Sequence, residues 1–451
     1  MTLKQSFRAL GGLAVAASLG LCAVACGDDS GSSKGASATT VAAGGGSATT
    51  VASGGGSATT VASGGSSSPA AGTDPLGTPK KASGTPVKIG VISDGQSAAI
   101  DNTDELLTMV ATAKWANDYL GGVGGHPIEV ITCETKQDAA IATDCGNQMV
   151  SKGVAAVVNG VSGQSAFFGK PIQAAGIPLI MWQNTDVASD KKSTFVLSNA
   201  LAAFLVPPVV ARDKKLTSAA TITVDVPGAL GPAKSLGVAM LKKAGVTDPN
   251  VVAVPHETAD MSPQVQAALT KKPQLVHIIG DGPFCAKALT ALETAGYTGT
   301  ITMISQCVTP QTVATVGDYL KGVYVGYAGT TDATDPDWKL YEAVVNKYAS
   351  DPKKINLTSN PLGGFGAVSN FARLMADYKG DFSPADIVHY IKGLPAMPLY
   401  LGAGATMKCD GTAVAILPAI CTKGYVQAVL DAKGQPTNFT APDPGDLAVI
   451  G

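Results

Sequence analysis

The sequence predicts an α/β protein built from two doubly wound parallel-sheet lobes that are joined by a multi-strand hinge. Continuous apolar runs such as residues 87–93 and 154–158 are typical of parallel strands covered on both faces. Helical segments follow these runs, and the alternation starts again after residue 201. Strands that alternate with helices form parallel sheets. Two rounds of the pattern therefore predict two lobes with a ligand cleft between them.

The first round of the pattern covers the first folded segment of the chain. Glycines 121, 122, 124 and 125 end its first helix. The predicted strands are residues 87–93, 128–132, 154–158 and 177–181, and the predicted helices are residues 103–119, 138–152 and 164–175.

The second round predicts another doubly wound unit, followed by helices and a hairpin. Its strands are residues 219–224, 251–254, 275–279 and 300–304, and its helices are residues 231–244, 262–270 and 285–295. We expect residues 323–327 to cross back, followed by helices 338–348, 364–378 and 383–391 and by a disulfide-clipped hairpin within residues 399–429. We assign residues 87–203 with 328–395 to lobe 1, residues 204–327 with about 396–435 to lobe 2 and the hinge return, and residues 436–451 to a C-terminal tail.

The first 25 residues are typical of a bacterial export signal. Lys4 and Arg8 precede an apolar run, residues 9–24, that is too short for a comfortable transmembrane helix. The small residues before Cys26 resemble a lipobox, whose cysteine is acylated. We therefore expect a lipoprotein signal peptide and a lipid anchor at Cys26 on the outer face of the cytoplasmic membrane. An ordinary signal peptide is the alternative.

Residues 26–86 are predicted to form a flexible tether. The segment is rich in Gly, Ser, Ala and Thr and carries a ten-residue repeat that starts at Ser37, Ser47 and Ser57. Such a composition cannot bury enough apolar surface to fold. A tether directly after a lipid anchor suits a domain that works near a membrane.

The remaining composition excludes two classes of partner. With 32 basic and 34 acidic side chains in 451 residues, no charge excess suggests nucleic acid. The longest later apolar run, residues 201–211, is interrupted by Pro207 and Pro208 and predicts no membrane span. We expect a monomer that meets the membrane through its lipid alone.

Six of the eight cysteines lie in the folded part, which indicates disulfides in an exported chain. Six cysteines allow 15 connectivities. Their clustering along the chain favours the pairs Cys133–Cys145, Cys285–Cys307 and Cys409–Cys421. A zinc site is less favoured, because the sequence has no C-x-x-C motif and its four histidines are scattered. We predict neither a metal nor a cofactor.

A polar loop and a polar strand end in lobe 1 are the candidate binding residues. Ser162, Gln164 and Ser165 lie at a predicted helix N-terminus, which favours a carboxylate or another anion. Asn184 and Thr185 follow the next strand at its carboxyl end, the edge where open α/β sheets bind ligands. Helix capping alone is the alternative role for the loop side chains.

Several segments together resemble the type I periplasmic binding proteins of the branched-chain amino-acid (Leu/Ile/Val) group. They are the lipoprotein signal, the tether, VKIGVIS, GVAAVVNGVSGQSAF with AAGIPLIMWQNTD, TADMSPQVQAAL, and LVHIIGDGPFCAKALTALETAGYTGTI. The resemblance extends from residue 87 to about residue 430. It implies two lobes that close on a small solute and hand it to an ABC permease.

The resemblance implies particular roles for lobe 1. The serine-bearing loop that holds the ligand carboxylate in the family falls on residues 162–165, and the family's threonine falls on Thr185. Lobe 2 departs from the family pattern. The acidic residue that holds the ligand ammonium would fall near Gln306, where there is no carboxylate, and the usual tyrosine is absent after the lobe's first strand. Asp281 and Asp225 are the candidates for the missing charge, with a turn or N-cap role as their alternative.

Two aromatic residues complete the candidate site. Trp182 stands at a strand's carboxyl end and is either a core residue or a wall of the pocket. Phe365 lies where the family often has an aromatic residue lining the cleft, with core packing as the alternative.

The sequence favours a binding protein over an enzyme. Residues 160–164 lack the final glycine of a nucleophile elbow, and no histidine has a triad context. We expect an extracytoplasmic solute-binding lipoprotein of an ABC importer, which binds a branched-chain or other amino acid, or an amide. An envelope sensory module of the same fold is the alternative, and an amidohydrolase-like enzyme is the third hypothesis.

Overall fold

The computed structural model describes residues 74–97 and 101–447. The predicted signal peptide, Cys26 and most of the tether lie outside the described residues. The tether predicted to reach residue 86 ends earlier, because Leu76 is only 7 % exposed and packs into the core. Its carbonyl accepts a hydrogen bond from Trp115 Nε1 at 3.1 Å. An apolar side chain in the otherwise small-residue segment fixes the chain against the first lobe.

The first half of the described chain forms a parallel sheet with helices on both faces. The sheet strands are β1 (Val87–Ser93), β4 (Ile128–Glu134), β5 (Ala156–Asn159), β6 (Leu179–Met181) and β7 (Thr194–Val196). The short strands β2 (Gly95–Gln96) and β3 (Asp101–Asn102) form a separate antiparallel pair. Its helices are α1 (Thr103–Trp115), α2 (Ala139–Lys152) and α3 (Ser165–Ala174), and α1 continues into the π-helical turn Ala116–Leu120. The first sheet has the order β4-β1-β5-β6-β7, and all its neighbours are parallel.

The next segment builds a second sheet. Its strands are β8 (Ala219–Val224), β9 (Asn250–Val254), β10 (Leu275–Ile279), β11 (Thr300–Ile304) and β12 (Tyr324–Tyr327). Its helices are α4 (Ala202–Asp213), α5 (Pro227–Pro232), α6 (Val238–Lys243), α7 (Ser262–Leu269), α8 (Gly282–Thr294) and α9 (Pro310–Val316). The π-helical turn Ala233–Gly237 connects α5 to α6, and Ser305–Cys307 and Gly317–Leu320 are short 3-10 turns.

The C-terminal part of the chain contributes to both sheets. It comprises the helices α10 (Pro336–Tyr348), α11 (Asn360–Leu374) and α12 (Pro384–Gly393), the 3-10 turn Pro352–Lys354, and the strands β13 (Met397–Pro398), β14 (Thr406–Met407), β15 (Val426–Leu430) and β16 (Pro436–Thr440). The second sheet has the order β16-β15-β12-β11-β10-β8-β9. Its five parallel strands β8–β12 are wound in the same order as the first sheet, and β15 and β16 add an antiparallel edge. The predicted fold class is confirmed.

The hairpin predicted within residues 399–429 is wrong. Instead, β13 and β14 pair closely, an irregular segment follows, and β15 pairs with β16. The turn signal at Asp410 belongs to a loop, in which its Oδ1 accepts hydrogen bonds from the N–H and hydroxyl of Thr412. The predicted tail also begins too early, because residues 436–440 form an edge strand.

Residues 397–421 pack largely with the first sheet, although the sequence assigned them to the second lobe. Val414, Ala419 and Ile420 join a core cluster that both lobes share. Leu399, Leu401 and Met407 belong to the same core cluster as Val91 of β1. The Cys421 N–H donates to the Val196 carbonyl at 2.8 Å, which extends the edge of the first sheet. The apolar side chains of this segment explain the difference, since they complete the core under α11.

Three disulfides join the predicted pairs. Cys133–Cys145 links the end of β4 to α2, Cys285–Cys307 links α8 to the turn after β11, and Cys409–Cys421 closes the irregular C-terminal segment. The clustering of the cysteines along the chain therefore predicted the connectivity correctly.

The chain passes between the two sheets at three places, and these crossings bond to one another. Ser198 Oγ donates to the Ala328 carbonyl at 3.3 Å, and Thr422 Oγ1 donates to the Leu197 carbonyl at 2.6 Å. Asn199 Nδ2 donates to the Lys423 carbonyl at 2.8 Å. The three crossing segments are thus hydrogen-bonded to one another and form one connected hinge.

Candidate functional site

A cleft of about 1330 Å³ lies between the carboxyl ends of the two sheets. Its walls come from the segment after β6, the turn after β11, the end of β12, the start of α11 and the loop between β15 and β16. Backbone groups at the ends of parallel strands and at helix starts point into such a crevice, which makes it a natural ligand site. The volume accommodates a small solute together with water.

The structure brings four of the predicted binding residues into this cleft. Trp182, Asn184 and Thr185 line it from the first sheet, and Gln306 lines it from the second. Thr185 and Gln306 are exposed. Asn184 is held in place, because its Nδ2 donates to Ser165 Oγ at 2.7 Å and its Oδ1 accepts from the Val187 N–H at 3.2 Å.

The predicted anion site at the start of α3 is filled by the protein's own Asp94. Ser162 Oγ donates to Asp94 Oδ1 at 2.5 Å, and the Gly163 N–H donates to Asp94 Oδ2 at 3.2 Å. Thr135 Oγ1 also donates to Oδ1, at 2.8 Å. Asp94 is only 2 % exposed. Neither Ser162 nor Gln164 lines the cleft, so the helix end receives a carboxylate of the chain itself.

A second buried carboxylate, Glu105, lies beneath the same loop. Its Oε1 accepts from the Val161 N–H at 2.7 Å and its Oε2 accepts from Ser93 Oγ at 2.8 Å. Burial raises the pKa of Glu105 to about 8, and the nearby Asp94 and Asp104 carboxylates act in the same direction against the two hydrogen bonds. Val161 lines the cleft, so Glu105 positions a cleft wall from behind.

Gly160 is required where this loop crosses α11. A Cβ on Gly160 would lie 2.2 Å from Glu105 Oε1 and 2.7 Å from the Gly364 backbone nitrogen. Only glycine permits this close approach without a shift of buried backbone. The loop, the buried carboxylate and the start of α11 are therefore packed as one unit behind the cleft.

Ser165 is buried and contacts the cleft only through its neighbours. Its hydroxyl donates to Asp186 Oδ2 at 3.2 Å while it accepts from Asn184. Asp186 is exposed and lines the cleft. Ser165 is thus a support for two cleft side chains.

Phe365 is a core residue, fully buried in α11. Its ring packs against Tyr341 at 4.9 Å and Trp115 at 6.2 Å between ring centroids. It does not line the cleft. The glycines beside Phe365 serve a different aromatic residue, because a Cβ on Gly366 would lie 2.6 Å from Trp182 Cε3.

Asp281 and Asp225 lie outside the cleft lining. Asp281 caps α8, where its Oδ1 accepts from the Phe284 N–H at 3.0 Å, and its Oδ2 contacts His256 Nε2 at 2.7 Å. Burial opposes the ionised form of Asp281, but the hydrogen bonds of His256 and Phe284 leave its pKa below the usual value. Asp225 is exposed after β8. Asp281 therefore has the N-cap role that was the alternative to ligand binding, and Asp225 lies in the turn after β8.

Sequence reasoning missed several cleft residues, notably Tyr327, Asp332, Asn360 and Gln435. They lie on the crossing after β12, at the start of α11 and in the β15–β16 loop. Tyr327 could have been found, because it ends the segment that was predicted to cross back, residues 323–327. The others depend on chain crossings that no local pattern reveals.

The protein family follows from a match over most of the folded chain. The family model described as "Periplasmic binding protein" matches residues 86–420. The chain belongs to the periplasmic binding protein family. Family membership indicates an extracytoplasmic location, and the family and its structural neighbours are solute-binding proteins and not enzymes.

Solved structures of other periplasmic binding proteins share the fold at low identity. The branched-chain amino-acid transporter substrate-binding protein of Streptococcus pneumoniae, solved with isoleucine, has 16% identity and a TM-score of 0.56, covering 80% of this chain and 100% of its own. An ABC transporter solute-binding protein of R. palustris, solved with 4-hydroxybenzoate, has 15% identity and a TM-score of 0.57, covering 80% and 98%.

An ABC transporter substrate-binding protein of Sphaerobacter thermophilus has 14% identity and a TM-score of 0.62, covering 80% of this chain and 100% of its own. A comparison with curated proteins gives no match. These likenesses establish the type I periplasmic binding protein fold and leave the ligand to be argued from the cleft.

Two further properties bear on how this periplasmic binding protein works. Within residues 74–97 and 101–447, no helix is long and apolar enough to cross a bilayer. The same residues hold no cluster of three His, Cys, Asp or Glu side chains that could bind a metal ion.

Proposed function

We propose that the protein is the lipid-anchored solute-binding component of an ABC importer. It binds a small polar solute, an amino acid derivative or an amide, between two lobes and delivers it to permease subunits as a monomer. The observation that carries the proposal is the cleft at the carboxyl ends of both sheets, lined by Asn184, Thr185 and Gln306. Amide and hydroxyl side chains on opposite walls suit a ligand that is held by both lobes.

A thermal-shift screen of the purified protein against amino acids, amides, amines and a broad set of metabolites tests the proposal. A ligand that binds only the folded state at about 100 times its Kd adds roughly 2.7 kcal/mol of stability, so a hit raises Tm clearly. We expect at least one compound to raise Tm. We expect Trp182→Ala and Asn184→Ala to reduce that rise. A flat response with every compound would overturn the proposal.

Deletion of the gene distinguishes import from the sensory alternative. An importer component is required for uptake of the labelled ligand that the screen identifies, whereas a sensory module leaves uptake unchanged. Replacement of Cys26 by Ser tests the anchor separately, since we expect it to release the protein from the membrane fraction without loss of ligand affinity.

A further inference from the structure

The charged side chains that line the cleft are all acidic among the described residues. They are Asp186, which follows β6, and Asp332, which follows the crossing after β12. No Lys, Arg or His belongs to the described lining. A carboxylate ligand entering this cleft would therefore meet negative charge without a compensating cation.

Both carboxylates are available to a ligand. Asp186 accepts a hydrogen bond from Ser165 at 3.2 Å, and it has no ion-pair partner within the described chain. Asp332 Oδ1 accepts from the Thr334 hydroxyl at 2.7 Å and the Thr334 N–H at 2.8 Å. These hydrogen bonds, with Lys339 further away, hold the pKa of Asp332 below its usual value, so its carboxylate is ionised at neutral pH.

The start of α3, where the sequence predicted an anion site, is already occupied. Asp94 accepts hydrogen bonds from Ser162 and Gly163 at the start of α3 and is almost completely buried. A ligand carboxylate cannot use these donors unless it displaces Asp94. The start of α3 therefore offers no free donors to a ligand carboxylate.

Two buried donors on residues that line the cleft lack partners in the described chain. Trp182 is 0% exposed and its Nε1 has no hydrogen-bond acceptor, and the Tyr327 hydroxyl is likewise without one. A Cβ on Gly363, which lines the cleft, would lie 3.1 Å from Trp182 Cδ1, so the nitrogen-bearing ring of the indole packs against the start of α11. A buried donor without an acceptor costs stability, which a ligand acceptor would recover.

We infer that the cleft selects a cationic amine that also carries a neutral acceptor such as an amide carbonyl, and that it excludes ligands whose charge is a carboxylate. This inference rests on the proposed solute-binding function and names its ligand class. The ammonium group pairs with Asp186 or Asp332, and the carbonyl accepts from Trp182 Nε1. An amino acid amide has both groups, whereas the parent amino acid adds a carboxylate.

Four compounds with one carbon skeleton test the inference by calorimetry. Leucinamide is cationic, leucine is zwitterionic, 4-methylpentanamide is neutral and 4-methylpentanoate is anionic. Phenylalaninamide and phenylalanine repeat the comparison with an aromatic skeleton. We expect the amides with an ammonium group to bind at least tenfold more tightly than their amino acids, because both carry the ammonium group but only the amino acid adds a carboxylate, which the acidic lining repels.

Charge-removing variants locate the effect. Asp186→Asn keeps an acceptor for Ser165. We expect Asp186→Asn and Asp332→Asn each to weaken leucinamide binding about tenfold or more. Asp144→Asn removes the same charge from the exposed face of α2 and serves as the control that leaves binding unchanged. The Tm of each unliganded variant shows that it is folded.

The outcomes separate this inference from the proposed function. Tighter binding of leucine, or of any carboxylate in the broad screen, than of the matched amine would overturn the cationic ligand class and leave solute binding intact. Equal loss of affinity in Asp186→Asn, Asp332→Asn and Asp144→Asn would also overturn it. No binding by any compound would overturn the proposed function and this inference together.

Discussion

Two buried carboxylates, Asp94 and Glu105, organise the loop beneath the cleft. Between them they accept hydrogen bonds from the backbone of Val161 and Gly163 and from the hydroxyls of Ser93 and Ser162. Buried carboxylates are stable only when their oxygens are fully hydrogen-bonded or protonated. Asp94 takes three donors and Glu105 takes two, which fits the raised pKa of Glu105.

The first prediction concerns the pH dependence of stability. The pKa of Glu105 rises from 4.5 to about 8 in the folded protein. Between these values the folded state holds a proton that the unfolded state has lost, so the free energy of unfolding falls as pH rises through this window and levels off above about 8. Glu105→Gln resembles the protonated acid and still accepts from Val161. We expect the variant to lack this part of the pH dependence.

Urea unfolding at pH 5 to 9 measures this pH dependence as the difference in the free energy of unfolding between wild type and Glu105→Gln. Glu129→Gln, on the exposed side of β4, is the control and should follow the wild type. We expect Glu105→Ala to lose about 3 kcal/mol, because it leaves the Val161 N–H without an acceptor and opens a cavity. Identical slopes for wild type and Glu105→Gln between pH 5 and 8 would contradict the assignment.

The sequence identified the anion-binding helix end but not its occupant. Ser162 and Ser165 were recognisable as donors at the start of a helix, and local physics is enough for that conclusion. The acceptor, Asp94, lies 68 residues earlier in the chain and reaches Ser162 only when β1 and β5 pair. A partner set by sheet pairing cannot be read from a local pattern. For this reason the predicted roles of Ser162, Gln164 and Ser165 as direct ligand contacts stay predictions without support from the cleft lining.

At the scale of elements, apolar runs located the strands well, but the sequence did not predict the helix over residues 202–213. Helix α4 contains Pro207 and Pro208 within its apolar run, which the sequence reading treated as an interruption. Pro207 cannot bond the Ala203 carbonyl four residues earlier. Both prolines and the four residues around them, Leu205, Val206, Val209 and Val210, are buried. Tertiary packing thus accommodates a proline pair that isolated helix propensity would reject.

The short C-terminal disulfide gives a prediction at the same scale. Cys409–Cys421 spans 12 residues of irregular chain next to the hinge. Closing a loop of this length contributes about 3 kcal/mol through the unfolded state. We expect Cys409→Ser with Cys421→Ser to lower the free energy of unfolding by about that amount in urea titrations.

The pair Cys133–Cys145 is a matched comparison, because it closes a loop of the same 12-residue separation. Removal of either disulfide should have a similar cost if chain entropy dominates. Wild-type stability in both double variants would show that neither bond constrains the unfolded chain. A larger loss at Cys409–Cys421 would show that the disulfide also holds native contacts between residues 408–425 and β7.

At the scale of the molecule, two sheets of the same winding are joined by three hydrogen-bonded crossings. Alternation in the sequence predicted this architecture, because each strand–helix round encodes a parallel unit. The assignment of residues 397–421 was not predictable in the same way. Their short strands show no strong periodicity of apolar residues. Side chains such as Leu401, which pack in the core of the first sheet, determine where the segment lies.

Ligand binding should change the shape of the whole molecule. A ligand that contacts Thr185 on one wall and Gln306 on the other favours the arrangement in which both contacts form, and a connected hinge permits rotation about the crossings. We expect the radius of gyration measured by small-angle scattering to fall when leucinamide is added at saturation. Addition of 4-methylpentanoate is the matched control, and an unchanged radius with a saturating ligand would argue against closure.

Because Asp94 occupies the start of α3, any free anion must compete with it for the hydrogen-bond donors there. Asp94 is held beside Ser162 and Gly163 by the strand that carries it, so it competes as an intramolecular group with a high effective concentration. A free carboxylate at the millimolar levels of small metabolites competes poorly against such a tethered group. Binding of free anions at the start of α3 is therefore suppressed.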